Sequence, residues 1–128
     1  MKKYLIDTNI IIYYINNDRK IVNRLINKSN IYISTISVGE LYFGVNVSSK
    51  KNENIKVLDK YINYFDILGT NINTAYHYAT IRATLRKIGK PIPDNDIWIA
   101  AIAKEHNLII ATRDKHFLSL DFIQTENW

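Results

Sequence analysis

The sequence predicts an α/β fold, a three-layer α/β/α sandwich around a mostly parallel central sheet. Short apolar runs, of the kind that form buried strands, alternate along the chain with longer segments of helical periodicity. No repeat, low-complexity tract or Pro/Gly-rich linker interrupts this alternation. We therefore expect the 128 residues to form a single domain, 1–128.

Each predicted element follows from its local pattern. Apolar runs predict strands at residues 3–6, 31–33, 65–68, 108–111 and 122–123. Apolar residues at helical spacing predict helices at residues 8–16, 20–28, 38–47, 53–64, 73–88 and 96–105, with a short helical turn at 115–118. Gly89 should end the longest helix, and residues 91–93 should form a rigid Pro-Ile-Pro loop before the next one.

Composition limits the possible functions. The chain has 47% hydrophobic and 23% charged residues, which is typical of a globular protein, and no cysteine, which excludes disulfides, iron–sulfur clusters and thiolate zinc sites. Its apolar runs are too short to span a bilayer, so we expect a cytoplasmic protein. The net charge of +5 fits either a solvated basic surface or a polyanionic partner such as nucleic acid.

Four acidic residues stand at corresponding places in the predicted elements. Asp7 directly follows the first strand, and Asp114 follows the fourth. Glu40 lies in the first turn of the helix after the second strand, and Asp96 begins the helix after the Pro-Ile-Pro loop. In an open parallel sheet the carboxyl ends of the strands and the helix N-termini share one edge, where ligands bind. Asp96 joins the others if its helix lies beside the point where the strand order reverses.

Helix capping is the alternative interpretation of each acid. Asp7 and Asp114 could each cap the helix that follows, and Ser37 with Glu40 matches a capping box. Asp96 suits a helix start through the macrodipole. Capping does not explain why acids recur along one sheet edge of a basic protein, but it stays open for each residue taken singly.

A cluster of carboxylates has a definite chemistry. Several carboxylates within a few ångströms repel one another, so ionising all of them together is unfavourable without a cation. Hard oxygen ligands select Mg²⁺ or Mn²⁺ over zinc or copper. A metal held in this way can polarise a phosphoryl oxygen and orient in-line attack. The residues therefore predict metal-assisted phosphodiester hydrolysis.

Four motifs, in order, resemble those of the PIN-domain family, and specifically the VapC toxins of bacterial and archaeal toxin–antitoxin pairs. The motifs are Tyr-Leu-Ile-Asp-Thr-Asn at 4–9, Ser-Thr-Ile-Ser-Val-Gly-Glu-Leu at 34–41, Asn-Asp-Ile-Trp-Ile-Ala-Ala at 95–101 and Ala-Thr-Arg-Asp-Lys-His-Phe at 111–117. One such motif would carry little weight. Together they span nearly the whole chain at the family's spacing.

The resemblance implies a fold with strand order 3-2-1-4-5 and cleavage of RNA that leaves 5′-phosphate and 3′-hydroxyl ends. It implies Mg²⁺ or Mn²⁺ as the cofactor and a homodimer held inactive by a VapB-type antitoxin, which inserts a segment near the active site. The site residues that it implies are Asp7 and Asp96 as principal metal ligands, Glu40 and Asp114 as completing acids, and Thr8 and Thr112 as hydrogen-bonding residues that orient the carboxylates.

A few positions depart from the family pattern or invite a different role. His116 stands where a further acid is common, and we expect it, like His77 and His106, to be a surface or packing residue. Asp94 is expected to cap its helix, so that Asp94→Ala keeps most activity while Asp96→Ala abolishes it. Four basic residues form either a solvated face or an RNA phosphate track: Arg82, Arg86, Arg113 and Lys115.

Other functions fit the sequence less well. An aspartyl-phosphate phosphohydrolase would need a second aspartate at position 9, which is Asn, and flap nucleases generally carry long insertions that this chain lacks. A receiver domain would place its phosphoacceptor aspartate after the third strand, where Leu-Gly-Thr stands. A degenerate PIN domain that only binds RNA or a protein is the main alternative, although all four acids are present.

Overall fold

The computed structural model describes residues 1–128, and its strands and helices alternate along the chain. The strands are β1 (Tyr4–Ile6), β2 (Ile31–Ser34), β3 (Asp66–Leu68), β4 (Ile109–Thr112) and β5 (Thr125–Asn127). The helices are α1 (Thr8–Ile15), α2 (Arg19–Ile26), α3 (Thr35–Asn46), α4 (Lys51–Ile62), α5 (Ile72–Ile88), α6 (Asp94–Glu105) and α7 (Lys115–Leu118).

The strands form one five-stranded sheet in the order β3-β2-β1-β4-β5, and every neighbouring pair is parallel. The predicted fold class and strand order are therefore confirmed. The central strand β1 pairs with β2 on one side and with β4 on the other, so the strand order reverses between β1 and β4. Ligands bind at such a reversal in open parallel sheets.

Two hydrophobic cores cover the two faces of the sheet. Successive side chains of a strand point to opposite faces, so Leu5 enters one core while Tyr4 and Ile6 enter the other. The first core takes its helical residues mainly from α5, α6 and α7, and the second from α1, α2, α3 and α4. The sandwich is held together by burial of these apolar side chains on both sides.

The starts of α3 and α6 lie two or three residues earlier than the sequence predicts, and this changes which residues cap them. Ser34 is the N-cap of α3, and its Oγ accepts a hydrogen bond from the main-chain N–H of Ser37 at 3.0 Å. The capping box predicted for Ser37 and Glu40 is therefore wrong, because Ser37 is already inside the helix. The prediction that Asp94 caps α6 is also wrong, since Pro93 occupies the N-cap position without any side-chain cap bond.

The last predicted strand is misplaced. The apolar pair at 122–123 lies in a turn, where Ile123 is buried in the first core, and β5 consists of the polar residues Thr125–Asn127. β5 is an edge strand, so it does not need an apolar side chain on each face. Its Glu126 instead accepts hydrogen bonds from Trp128 Nε1 at 3.0 Å and Tyr4 Oη at 3.2 Å.

The longest helix, α5, has 17 residues, and no helix is both long and apolar enough to cross a membrane. Gly89 ends α5 in the left-handed conformation with φ of 69°, as the sequence predicts. This turn directs the chain through Pro91 to Pro93 and places the first residues of α6 at the carboxyl edge of the sheet.

Candidate active site

The four predicted acids meet in one pocket at the carboxyl edge of the sheet, beside the reversal between β1 and β4. The pocket has a volume of about 420 Å³, none of its nine lining residues is basic, and all except Pro93 have polar or acidic side chains. These residues are Asp7, Thr8, Asn9, Glu40, Pro93, Asp94, Asn95, Asp96 and Asp114. The structure thus brings together all four carboxylates that the sequence singles out.

Asp7 is the most buried of the four acids. It follows β1 directly, is only 5% exposed, and serves as the N-cap of α1. Its Oδ1 accepts a hydrogen bond from the main-chain N–H of Thr8 at 2.8 Å, and its Oδ2 accepts one from the buried Thr112 hydroxyl at 2.9 Å. Burial raises its pKa, and the nearby carboxylates of Asp114 and Glu40 raise it further, while the two hydrogen bonds act in the opposite direction.

Glu40 reaches the pocket from the second turn of α3. Its Oε1 accepts a hydrogen bond from the Thr8 hydroxyl at 2.8 Å. The same hydroxyl lies 2.9 Å from the Oγ of Ser37, which is fully buried beneath it. Thr8 therefore ties the first turn of α1 to α3, and the side chain of Glu40 is directed toward Asp7.

Asp96 stands at the third position of α6, where the positive end of the helix dipole favours a negative charge. No protein group donates a hydrogen bond to its carboxylate, in contrast to the other three acids. Burial raises the pKa of Asp96 to about 6, with further contributions from Asp7, Asp114 and Glu40. A carboxylate that is charged at neutral pH, repelled by its neighbours and free of donors is suited to bind a cation.

Asp114 brings a histidine to the site that the sequence analysis assigned to the surface. Asp114 is the N-cap of α7, and its Oδ1 accepts a hydrogen bond from the main-chain N–H of His116 at 2.9 Å. The Nδ1 of His116 lies 3.3 Å from the same oxygen. Ligand atoms of Asp96, Asp114 and His116 all lie within 4.8 Å of one another, although His116 is exposed. The contact depends on α6 meeting the β4–α7 corner, which residue spacing alone does not indicate.

Capping and membership of the site are not exclusive. Asp7 and Asp114 each cap a helix, as the helix-capping interpretation predicts, and both also line the pocket. The capping bond engages one carboxylate oxygen and holds the side chain in a fixed orientation. The second oxygen of each group remains directed elsewhere, to Thr112 in the case of Asp7.

The donor set fits a hard divalent cation. Four carboxylates supply the oxygen ligands that Mg²⁺ and Mn²⁺ prefer, and the raised pKa values of Asp7 and Asp96 reflect burial together with mutual repulsion. No lysine or arginine lines the pocket to balance this charge. A bound cation would therefore relieve a repulsion that the protein itself leaves uncompensated.

The basic residues singled out by the sequence lie outside the pocket. Arg82 is exposed on α5 and lies 3.8 Å from Asp94, whose carboxylate accepts a hydrogen bond from the hydroxyl of Tyr78. Arg86 and Lys115 are also exposed. Arg113 differs from these three, because its guanidinium pairs with Asp18. Contact of these residues with RNA stays a prediction.

The match with known proteins assigns the family. The model of the PIN domain matches residues 4–123, which is most of the chain. The chain belongs to the PIN-domain family. This PIN domain is 37% identical to Ribonuclease VapC2 of Haemophilus influenzae over 131 aligned positions, covering 100% of this chain and 99% of the relative. It is 31% identical to the tRNA(fMet)-specific endonuclease VapC of Shigella flexneri, at the same coverage.

Solved structures place it in the same group. The fold matches that of VapBC2 from Rickettsia felis bound to a DNA fragment from their promoter, with a TM-score of 0.89, 32% identity and 98% of each chain covered. It matches DNA-bound VapBC from Salmonella typhimurium with a TM-score of 0.90, 31% identity and 98% coverage of each chain. The resemblance to VapC proteins is therefore confirmed.

The raised pKa of Asp96 predicts that the metal-free protein loses stability as the pH rises from about 4 to above 6. A carboxyl group with a folded-state pKa of about 6 and an ordinary value of 3.8 when unfolded destabilises the fold above pH 6 and costs nothing below about pH 4. Asp96→Asn should therefore raise the free energy of unfolding at pH 7.5 by about 2 kcal/mol, after allowance for solvent screening, and change it little at pH 4. Urea unfolding in EDTA measures both values.

Asp94→Asn is the matched control, because Asp94 lies in the same helical turn but is exposed and outside the cluster of four. It should show no gain in stability at pH 7.5. An Asp96→Asn variant that is no more stable than the wild type at pH 7.5 would contradict the repulsion described here.

Proposed function

We propose that residues 1–128 act as one catalytic domain, an endoribonuclease that hydrolyses RNA phosphodiester bonds in the cytoplasm with Mg²⁺ or Mn²⁺. The protein is the toxin of a type II toxin–antitoxin pair. The observation that carries the proposal is the pocket formed by Asp7, Glu40, Asp96 and Asp114, without a basic residue, in a chain that groups with VapC ribonucleases.

The roles of the four acids follow from their surroundings. Asp7 and Asp96 would be the principal metal ligands, since Asp7 is buried at the centre and Asp96 has no competing donor. Glu40 and Asp114 complete the oxygen set from the two sides. When bound, the cation supplies positive charge that polarises the phosphoryl group and cancels the repulsion between the acidic pocket and a phosphodiester.

Hydrogen bonds keep these ligands in place before the cation arrives. Thr112 donates to Asp7 Oδ2, and its hydroxyl also accepts the main-chain N–H of Asp114 at 2.9 Å. Thr8 holds Glu40 in the corresponding way on the other side. Groups that orient metal ligands commonly affect metal affinity by 10- to 100-fold, so we assign this orienting role to Thr8 and Thr112.

RNA binding outside the pocket would use the positive surface. A second depression of about 550 Å³ is lined by Arg82 and Arg86 of α5 and, among others, by Pro91, Ile92 and Asp94. It shares Asp94 with the acidic pocket. An RNA strand whose scissile phosphate lies in the acidic pocket could therefore continue over these arginines. Lys115 is exposed at the start of α7, directly after Asp114, and Arg113 is less available because it pairs with Asp18.

A surface of this protein next to the acidic pocket is suited to bind an antitoxin. An apolar groove of about 320 Å³ runs between α1, α3 and α4, and it shares Thr8 and Glu40 with the acidic pocket. A VapB-type segment with apolar side chains in this groove and a basic side chain directed at Glu40 would cover both features. The relatives from Rickettsia felis and Salmonella typhimurium are structures of VapBC assemblies, which supports this partner. We also propose that the toxin forms a homodimer.

Cleavage of total cellular RNA tests the reaction. Purified wild-type protein, freed of any co-purified antitoxin, should cut RNA with Mg²⁺ or Mn²⁺ and should stop in EDTA. Asp96→Ala should lose at least about 100-fold in rate, because a principal ligand is removed. Gel analysis of the products measures the rate and locates the cut sites.

Asp94→Ala is the control for this experiment and should keep most of the activity, since its carboxylate contacts Tyr78 and Arg82 and lies outside the cluster of four. Equal loss in both folded variants would overturn the assignment of Asp96. A folded, antitoxin-free wild type that binds RNA but never cuts it with either metal would instead support the non-catalytic RNA-binding module.

The salt dependence of RNA binding tests the basic track. In an Asp96→Ala background, the double variant Arg82→Gln/Arg86→Gln should reduce the slope of log K against log salt by about 1.4, since each phosphate contact in single-stranded RNA contributes about 0.7. Filter binding at several salt concentrations measures the slope.

The matched control is Lys56→Gln/Lys60→Gln, which removes the same charge from exposed positions one turn apart on α4. This control should leave the slope nearly unchanged. An unaltered slope in the arginine variant, or an equal change in both, would count against a defined track on α5.

A further inference from the structure

Arg113 occupies an unusual position between two residues of the site. Thr112 before it donates a hydrogen bond to Asp7, and Asp114 after it lines the acidic pocket. The side chain of Arg113 does not enter the pocket. It extends instead to the junction between α1 and α2, where it meets Asp18.

The contacts of Arg113 use the full geometry of its guanidinium. Nη1 and Nη2 donate to the two carboxylate oxygens of Asp18 at 2.9 and 3.1 Å, and Nε donates to the main-chain oxygen of Trp128 at 2.8 Å. The group also stacks over the ring of Tyr13, 4.5 Å from its centre. Such a bidentate pair combines strength with a fixed orientation, which a lysine cannot reproduce.

Asp18 is itself held in place by the chain around it. Its main-chain N–H donates to Tyr13 at 2.9 Å, and its side chain caps α2 by accepting a hydrogen bond from Ile21. Asn17 before it adopts the left-handed conformation with φ of 65°, which turns the chain sharply between the two helices. The hydrogen bonds from Arg113 lower the pKa of Asp18, so the pair stays ionised at neutral pH.

These contacts fasten α1 to the β4–α7 corner at both ends. At its N-terminus, Asp7 is bonded to Thr112, and beyond its C-terminus Asp18 is bonded to Arg113. An eight-residue helix is only about 12 Å long, so two attachments leave it little freedom to rotate or slide. Both attachments therefore constrain the position of α1 relative to the β4–α7 corner.

We propose that Asp18 and Arg113 are a positioning pair that sets the spacing of the acidic ligands and so the affinity of the site for its divalent cation. The inference rests on the proposed function, because it concerns the same metal site. Neither residue touches the pocket, so both act through others: Arg113 through the main chain of Thr112 and Asp114, and Asp18 through α1.

The test compares three single variants with the wild type. Arg113→Lys keeps the charge but loses the bidentate geometry, and Asp18→Asn keeps a side chain that can cap α2 but loses the charge. Arg24→Lys is the matched control, because Arg24 also contacts Trp128 and forms an ion pair, with Glu126 at 3.4 Å, but has no contact with the Thr112–Asp114 segment. Mn²⁺ affinity, measured by calorimetry without RNA, is the main readout, and thermal unfolding of the EDTA-treated proteins is recorded alongside it.

Arg113→Lys and Asp18→Asn should each weaken Mn²⁺ binding by about tenfold, as the loss of groups that orient ligands commonly does. Both should lower kcat for RNA cleavage and leave KM nearly unchanged, since Arg82, Arg86 and Lys115 are intact and Arg113→Lys keeps its positive charge. The double variant should be no worse than either single variant, because the two residues act as one unit. Arg24→Lys should match the wild type in Mn²⁺ affinity, whatever its effect on the unfolding temperature.

The two proposals fail in different ways. If the wild type binds no Mn²⁺ and cuts no RNA, the proposed function is wrong. If the wild type binds and cuts but Arg113→Lys and Asp18→Asn keep wild-type affinity and kcat, only the positioning role is wrong. Equal losses of Mn²⁺ affinity in Arg113→Lys and Arg24→Lys would indicate a general loss of stability and would also overturn the positioning role. Should Arg113→Lys fail to fold, Asp18→Asn alone decides.

Discussion

Repulsion between carboxylates that the fold forces together is the constraint on which the rest of this structure depends. An all-parallel sheet places the ends of β1 and β4 side by side, and α6 adds its first turn to the same edge. The resulting pocket collects four acids without a basic neighbour, and burial keeps water from screening them fully. The two hydrophobic cores beneath supply the stability that this arrangement requires, since nearly half of their side chains are completely buried. A divalent cation bound among these four carboxylates would offset the repulsion between them.

The same elements that bring the carboxylates together also donate hydrogen bonds that reduce their repulsion. Asp7 and Asp114 each accept a main-chain N–H at the start of a helix, and Thr112 connects the two residues through a single hydroxyl. The hydrogen bonds of Asp7 act against the rise in its pKa, while Asp96 has none and shows the larger shift. The site thus combines acids fixed by the backbone with one acid that is free to respond to a ligand. This combination suits a metal site. Carboxylates that are already held in place lose little conformational entropy when a cation binds, and a carboxylate without hydrogen-bond donors can complete the coordination.

Sequence reasoning located most of the site because its acids follow directly from the positions of strands and helices. Asp7 and Asp114 stand immediately beyond β1 and β4, so an approximate reading of the strands is sufficient to place them. Local hydrogen bonding was harder to predict: Ser34 rather than Ser37 caps α3, and Thr8 rather than a capping box holds Glu40. The polar strand β5 escaped detection because an edge strand needs no apolar pattern. His116 and the pair formed by Asp18 and Arg113 depend on contacts between distant elements, for which a single sequence offers no periodic signal.

The number of protons released when Mn²⁺ binds tests most directly the claim that a cation relieves carboxylate repulsion. Calorimetric titration of the metal-free protein in two buffers of different ionisation enthalpy gives this number at pH 6.0 and at pH 8.0. With the pKa of Asp96 at about 6, saturable binding should release at least about half a proton at pH 6.0 and close to none at pH 8.0. Absence of saturable binding, or binding that releases the same number of protons at both pH values, would contradict the account.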